Sequence, residues 1–478
     1  MNKSLSLLNN GQEVDFIQPA HIYKPRQDKT GHIYMPTSLL TMAARLQHTG
    51  IDINIWDENF VPYEGKNSTI GINLLGAPYI PVAGELITRL DAKHIFLGGQ
   101  VINGLKNEEF SLLFPHCHNG NQSVSFGIGG IPSQYETSLI PIYKQIPDWQ
   151  MKAYLEHEFS FFVSQGCKHA CKFCAAIRTY KNPTTGEVFK VTEQYRNSAI
   201  LEMDFTYLVS KAEQLGVPKL EIYMSNLDVF QTPEKLHEFA DMVIRVRTMY
   251  PTVSVELRGL ATVEAFLDCA KQFPQTIERL SEAGYSTTGF GVDGGTAEIW
   301  KKVGKAHNFS SSDVHAAQKS IDAIKISWER FKIKPEMLMV FGHLDVDTED
   351  SLKAAVTLTQ DMVQLYNAVP RPHVAKNFIP GNDHWRNPAN AQRTEVFIKY
   401  PWLFQGLDFC ALATSYTHEH TAFAEMVNKY YLDICNIPGN TTLPIYPVLP
   451  ETDGELVTGV SSSAVDLMLA KNAGRYDR

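Results

Sequence analysis

Three of the seven cysteines, Cys167, Cys171 and Cys174, fall in one short stretch with CxxxCxxC spacing. Thiolates three and four residues apart on one loop can serve a single metal centre, and Gly166 lets the backbone wrap tightly ahead of them. A zinc site takes four ligands, usually as two CxxC-type pairs. Here there are three with no close fourth, a donor set that fits a cubane 4Fe–4S cluster with one iron left open for a substrate or cosubstrate. The remaining cysteines are scattered, too few for a disulfide framework or a second complete cluster.

The flanks narrow the chemistry. Phe159-Ser-Phe-Phe-Val163 reads as an apolar strand leading into the loop, and Phe173 stands directly before the last cysteine. A CxxxCxΦC loop, with Φ aromatic, at the end of a first barrel strand resembles the signature of the radical S-adenosylmethionine (radical SAM) family. The resemblance implies that Cys167, Cys171 and Cys174 hold a 4Fe–4S cluster, and that SAM chelates the open iron through its amino and carboxylate groups. It also implies that Phe173 lies near the adenine.

The elements that must position this loop follow in chain order. Residues 1–150 read as alternating strands and helices: Val14–Gln18, a helix over Pro36–Gln47 capped by Thr37 or Ser38, Ile51–Trp56, Ser68–Asn73, a helix near Pro81–Leu90, and Ile95–Gly99. That succession predicts a doubly wound parallel sheet of the Rossmann or flavodoxin type, with ligands at the C-terminal strand edges. It resembles the cobalamin-binding domain found ahead of many radical SAM cores, through Ile17–Ala20, Ile53–Asp57, Gly71–Asn73 and Leu97–Val101. Gly98 and Gly99 are the positions at which a corrinoid could approach, or at which a tight turn is made. The Asp-x-His-x-x-Gly motif that supplies a lower axial histidine in other cobalamin proteins is absent. Cys117 is the only cysteine of this half, which argues against methylthiotransferases, whose comparable domain holds a second cluster. Pro132–Lys152 reads as a linker.

Residues 151–385 offer six strand–helix units, a partial (β/α)6 barrel with its chemistry at the C-terminal mouth. After a helix over Met203–Leu215, Lys219–Asp228 is the second strand. It ends in Met224-Ser225-Asn226, where the family often has a Gly-Gly-Glu-like motif for the SAM amine. Ser225, Asn226 and Asp228 either receive that ammonium or cap the helix starting at Thr232-Pro233-Glu234. Arg258 on the third strand could pair with the SAM carboxylate through its planar fork. Asp293, after the fourth strand, stands where a glutamate commonly meets the ribose hydroxyls, with Lys302 or Lys305 following. Glu336–Asp345 resembles the fifth strand and Val374–Asn382 the sixth.

Residues 386–478 form a small, mainly helical C-terminal domain that covers the substrate. Cys410 or Cys435 is a candidate hydrogen-atom donor, although a lone cysteine on an apolar helix also serves as a small buried hydrophobe. His418 and His420, two apart, are either ordinary polar residues or proton-transfer groups.

Composition sets the outer bounds. A chain of 478 residues, 44% hydrophobic and 20% charged, predicts two or three soluble domains. A net charge of −9 disfavours a nucleic-acid partner, and no apolar run is long enough to span a membrane. Cytoplasmic residence suits thiolates that must stay reduced. The resemblance implies an external one-electron donor of the flavodoxin or ferredoxin type and a small-molecule substrate. Three readings follow: a cobalamin-dependent C-methyltransferase, a cobalamin-free dehydratase, mutase or ring-forming enzyme with a vestigial first domain, and a non-catalytic iron–sulfur carrier or sensor.

Overall fold

The computed structural model describes residues 8, 11–20, 34–77, 79–121, 130–169, 171–174, 193–294, 296–305, 316–375, 379–399, 401, 404 and 421–438. Cys410, His418 and His420 lie outside the described residues.

The first sheet is built from β1 (Glu13–Gln18), β2 (Asp52–Asp57), β3 (Thr69–Asn73), β4 (His94–Gly98) and β5 (Cys117–Asn119), interleaved with α1 (Thr37–Gln47), α2 (Tyr79–Thr88), α3 (Gln100–Gly104) and α4 (Asn107–Leu113). Its strand order is β2-β1-β3-β4-β5, and every pair is parallel. This is the flavodoxin-like doubly wound order, whose switch point lies between β1 and β3. β3 is buried at all five positions, as a central parallel strand covered on both faces must be. The short edge strand β5 has no counterpart in the predicted elements; three residues carry too little periodicity to register.

The α1 cap differs from expectation. Pro36 holds the N-cap position and makes no side-chain cap. Instead Thr37 donates its hydroxyl to the Ser160 carbonyl at 2.8 Å, and Ser38 donates to Asn73 Oδ1 at 3.3 Å. The segment expected as a linker is also structured, with α5 (Ile140–Tyr143) and α6 (Asp148–Leu155) burying Ile142, Tyr143, Met151, Tyr154 and Leu155. Its apolar residues sit in two helices too short to show a helical period.

The second sheet has six strands in the order β13-β12-β11-β10-β9-β6. They are β6 (Phe159–Phe162), β9 (Lys219–Ser225), β10 (Ser254–Thr262), β11 (Tyr285–Gly291), β12 (Lys334–Phe341) and β13 (Val369–Val374), and a separate antiparallel pair, β7 (Ser164–Gln165) with β8 (Gln194–Tyr195), follows β6. The pairs β6–β9, β9–β10, β11–β12 and β12–β13 are all parallel. Between the strands run α7 (Ser198–Leu215), α8 (Pro233–Met249), α9 (Val263–Gln272), α10 (Pro274–Glu282), α11 (Ala297–Lys302), α12 (Ala316–Glu329) and α13 (Glu349–Tyr366). α7 begins five residues earlier than predicted because Asn197 caps it, accepting from Ala199 N at 3.0 Å, and it ends on left-handed Gly216.

The sixth strand is a correction. It occupies Val369–Val374, ahead of the predicted Val374–Asn382. Pro370 and Pro372 disguise it, since proline reads as a strand breaker. β13 lies at the sheet edge, where a missing N–H costs no ladder bond. Beyond it the described chain is helical: α14 (Asp383–Arg386), α15 (Ala391–Lys399) and α16 (Thr421–Cys435). α16 buries Val427, Tyr430, Tyr431 and Ile434, and Tyr431 lies 6.4 Å from Phe341 of β12, ring to ring.

The chain divides into two compact units that do not follow chain order. One comprises residues 1–168, 176–259 and 272–286; the other comprises 169–175, 260–271 and 287–478. The cysteine loop, β10 and β11 each run from one into the other.

Candidate functional site

In the first unit the cysteine loop leaves the sheet through β7 and returns through β8, so a two-residue antiparallel pair closes its base. Half-buried Glu193 braces that base, accepting from Ser164 Oγ at 2.7 Å and Thr232 Oγ1 at 2.6 Å; partial burial lifts its carboxyl pKa above the usual range. Gln231 holds the loop itself: its Oε1 accepts from Lys168 N at 2.8 Å and its Nε2 donates to Gly166 O at 3.3 Å. Neither residue belongs to a recognisable motif, so the sequence reading missed both.

Ser225 closes β9 and Asn226 follows it, at the C-terminal strand end. Asn226 is 5% exposed, and among the described residues its side-chain Nδ2 and Oδ1 both lack hydrogen-bond partners. A buried amide left bare costs about 1–3 kcal/mol per group, so this side chain is set for a partner outside the described residues. It does not cap α8, whose N-cap is Thr232. Asp228 is fully buried.

Arg258 sits inside β10, four residues short of its end, on the face opposite buried Val255 and Leu257. Its Nη2 donates to Glu158 Oε1 at 2.8 Å, its Nε to Glu158 Oε2, and its guanidinium lies 5.2 Å from the Tyr223 ring. The fork expected to meet a SAM carboxylate is therefore taken by a carboxylate of this chain. Strand alternation predicts the face of Arg258 but not its depth along the strand.

Gly99 answers to backbone crowding, whereas a Cβ on Gly98 would meet only Asn121 Oδ1, at 3.3 Å. Gly98 O accepts from Leu74 N at 2.8 Å, and a Cβ on Gly99, at φ +110°, would stand 2.1 Å from Leu74 O. Asn121 caps the turn, accepting from Gly99 N at 2.8 Å and donating to Gly99 O at 2.6 Å. At the switch point itself, the buried side chains of Gln18 and Asn73 bond to each other at 2.7 Å.

In the second unit Cys171 O accepts from Cys174 N at 3.1 Å, turning the loop, and Lys172 N donates to Val303 O at 2.9 Å. Phe173 lies 5.1 Å from the His343 ring. His343 follows β12 and is 3% exposed; burial holds it below the ordinary histidine range. Asp293, at φ +44°, forms a buried ion pair with Lys305, which also donates to Gly291 O and lies 5.0 Å from the Trp300 ring. Of the two candidate lysines, then, Lys305 meets Asp293, whereas Lys302 pairs with Glu298 on the surface. Glu264, in the first turn of α9, has buried carboxylate oxygens with no partner among the described residues outside its own backbone, and burial raises its pKa against the opposing charges of Lys305 and Lys319.

Among the described residues no three His, Cys, Asp or Glu side chains converge to hold a single metal ion. The thiolates of a cubane ligate three different irons and need no such convergence. Three thiols on one loop, anchored at its start by Gln231, fit the donor set of a cubane cluster. The described cysteines form no disulfide. Among the described residues no helix is long and apolar enough to cross a membrane.

Comparison with solved structures gives the class of fold. The chain shares its fold with structures solved for a radical S-adenosylmethionine methyltransferase and for a cobalamin-dependent S-adenosylmethionine radical enzyme. It is similar to TsrM from Kitasatospora setae, a radical S-adenosylmethionine methyltransferase solved with tryptophan and aza-SAM, at TM-score 0.54 and 13% identity over 78% of this chain and 75% of that one. It is also similar to OxsB, a cobalamin-dependent S-adenosylmethionine radical enzyme solved with aqua-cobalamin and SAM, at TM-score 0.53 and 11% identity over 97% of this chain and 67% of that one. No family model matches, and no curated protein does.

Proposed function

We propose that this chain is a radical SAM enzyme that methylates a carbon of a small metabolite or natural product with the help of cobalamin. The observation that carries the reading is the three-cysteine loop leaving the first strand of the second sheet, in a fold shared with TsrM and OxsB. When bound, the cluster supplies the electron that splits SAM into methionine and a 5′-deoxyadenosyl radical able to take a substrate hydrogen. Cys167, Cys171 and Cys174 hold the cluster. Asn226 and Ser225 hydrogen-bond the SAM amine, Phe173 covers the adenine, and Asp293, steadied by Lys305, meets the ribose. Residues 1–150 hold the corrinoid, 151–385 form the barrel, and 386–478 cover the substrate and bring Cys410. A ferredoxin- or flavodoxin-type donor supplies electrons in a reducing cytoplasm.

A second reading keeps the SAM chemistry without cobalamin, giving a dehydratase, mutase or ring-forming enzyme. The filled switch point favours it, since Gln18 and Asn73 satisfy each other there. Anaerobic reconstitution with iron, sulfide and hydroxocobalamin tests both. A cubane EPR signal, 5′-deoxyadenosine formation that vanishes in Cys171→Ala, and one corrinoid per chain are expected. No bound corrinoid leaves the second reading, and no cluster-dependent 5′-deoxyadenosine removes both.

A further inference from the structure

We infer that His343 is the residue that reads the purine of bound SAM, its Nε2 accepting a hydrogen bond from the exocyclic amine while Phe173 lies against the ring. The inference rests on the radical SAM reading above. Three observations carry it. His343 Nε2 is buried and makes no hydrogen bond among the described residues. The ring does bond the Val340 backbone, and with Nε2 bare that bond belongs to Nδ1. In a neutral imidazole an Nδ1–H donor leaves Nε2 as a lone-pair acceptor, and burial keeps this ring neutral. A buried acceptor with no donor is a cost that native structures meet with a ligand or water.

The surroundings narrow what the donor is. The backbone that carries the imidazole is pinned: Gly342 N and His343 N both donate to Asp347 Oδ2 at 2.8 Å. Its aromatic neighbour is Phe173 of the cysteine loop, at 5.1 Å and 45°. The carboxylates of Asp347 and Asp293 both act on the ring electrostatically and favour a donor over an anion. A flat, uncharged ligand with an N–H donor in its plane and an aromatic face answers all three conditions. An aminopurine has that chemistry, and SAM carries one.

The test is binding rather than turnover. Reconstituted protein with its cluster oxidised is titrated with SAM and with the analogue bearing a 6-oxo in place of the 6-amino group. Wild type should bind the 6-oxo compound roughly 10- to 100-fold more weakly, because acceptor then faces acceptor. His343→Leu should lose a comparable factor for SAM and bind the two compounds alike, with iron content and cluster spectrum unchanged. His343→Gln, which keeps an acceptor, should recover part of the preference. Equal SAM affinity in wild type and His343→Leu, or a preference for the amine that survives in His343→Leu, overturns the assignment. So does a cluster signal already altered in SAM-free His343→Leu, which would place the ring on iron. If wild type binds no SAM at all, the radical SAM reading has failed, an outcome distinct from the loss of purine selection.

Discussion

Asn73 Nδ2 donates to Gln18 Oε1 at 2.7 Å, joining the C-terminal ends of β3 and β1 across the switch point of the first sheet. Both residues are buried, and Asn73 is the side chain that donates to the Gln18 carbonyl oxygen. Asn73→Ala should strand the Gln18 carbonyl and cost about 1–3 kcal/mol, read as a lower midpoint in denaturant with an unchanged slope. A midpoint equal to wild type would mean that water already serves the crevice.

The buried pair of Arg196 and Asp204 locks α7 to the segment before β6. Asp204 accepts from Arg196 Nη2 at 2.5 Å and from Leu139 N at 3.1 Å, with both side chains almost fully enclosed. Removing one partner leaves a charge buried alone, so Asp204→Ala should destabilise by about 3–5 kcal/mol. The exposed Arg245–Glu202 pair is the control: Glu202→Ala should cost less than about 1 kcal/mol. Comparable losses in thermal unfolding would contradict the burial argument.

Lys305 ties β11 to the segment that receives Lys172 N, through Asp293 and the Gly291 carbonyl. Lys305→Met keeps the length of the side chain and its place beside Trp300 but leaves Asp293 without its cation. Iron retained after gel filtration should fall several-fold while far-UV circular dichroism stays near wild type. Full iron occupancy would show that the cysteine loop holds its place without this pair.

Burial pushes the Cys117 thiol up to about 11. Since a raised pKa keeps the thiol protonated until the pH approaches that value, its thiolate is scarce at pH 8 and becomes abundant only in strong alkali. Iodoacetamide at pH 8 should label Cys117 at least about tenfold more slowly than a model thiol, measured by peptide mass spectrometry. Labelling at the model rate would mean that the β5 edge opens readily.

The amino-acid sequence by itself determined the parts whose signals are local. Cysteine spacing marks the three-thiol loop, and the alternation of Val255, Leu257 and Arg258 marks the faces of β10. The succession of strands, helices and glycines marks a doubly wound domain ahead of a partial barrel. These features depend on residue type and on periods of two or 3.6, which a linear chain displays directly. What the tertiary structure decided are relations between residues far apart in sequence. Arg258 has the chemistry to hold a SAM carboxylate, but Glu158, a hundred positions away, occupies its fork. Gly98 and Gly99 suit a ligand, but the Leu74 carbonyl is what requires a glycine at 99. Val369–Val374 becomes a strand only because the sheet edge tolerates its prolines. His343 and Gln231, which no motif marks, acquire their roles when packing sets one against Phe173 and the other against the loop backbone. Hydrogen-bond partnership and burial belong to pairs of distant residues, so they exist only once the chain has folded.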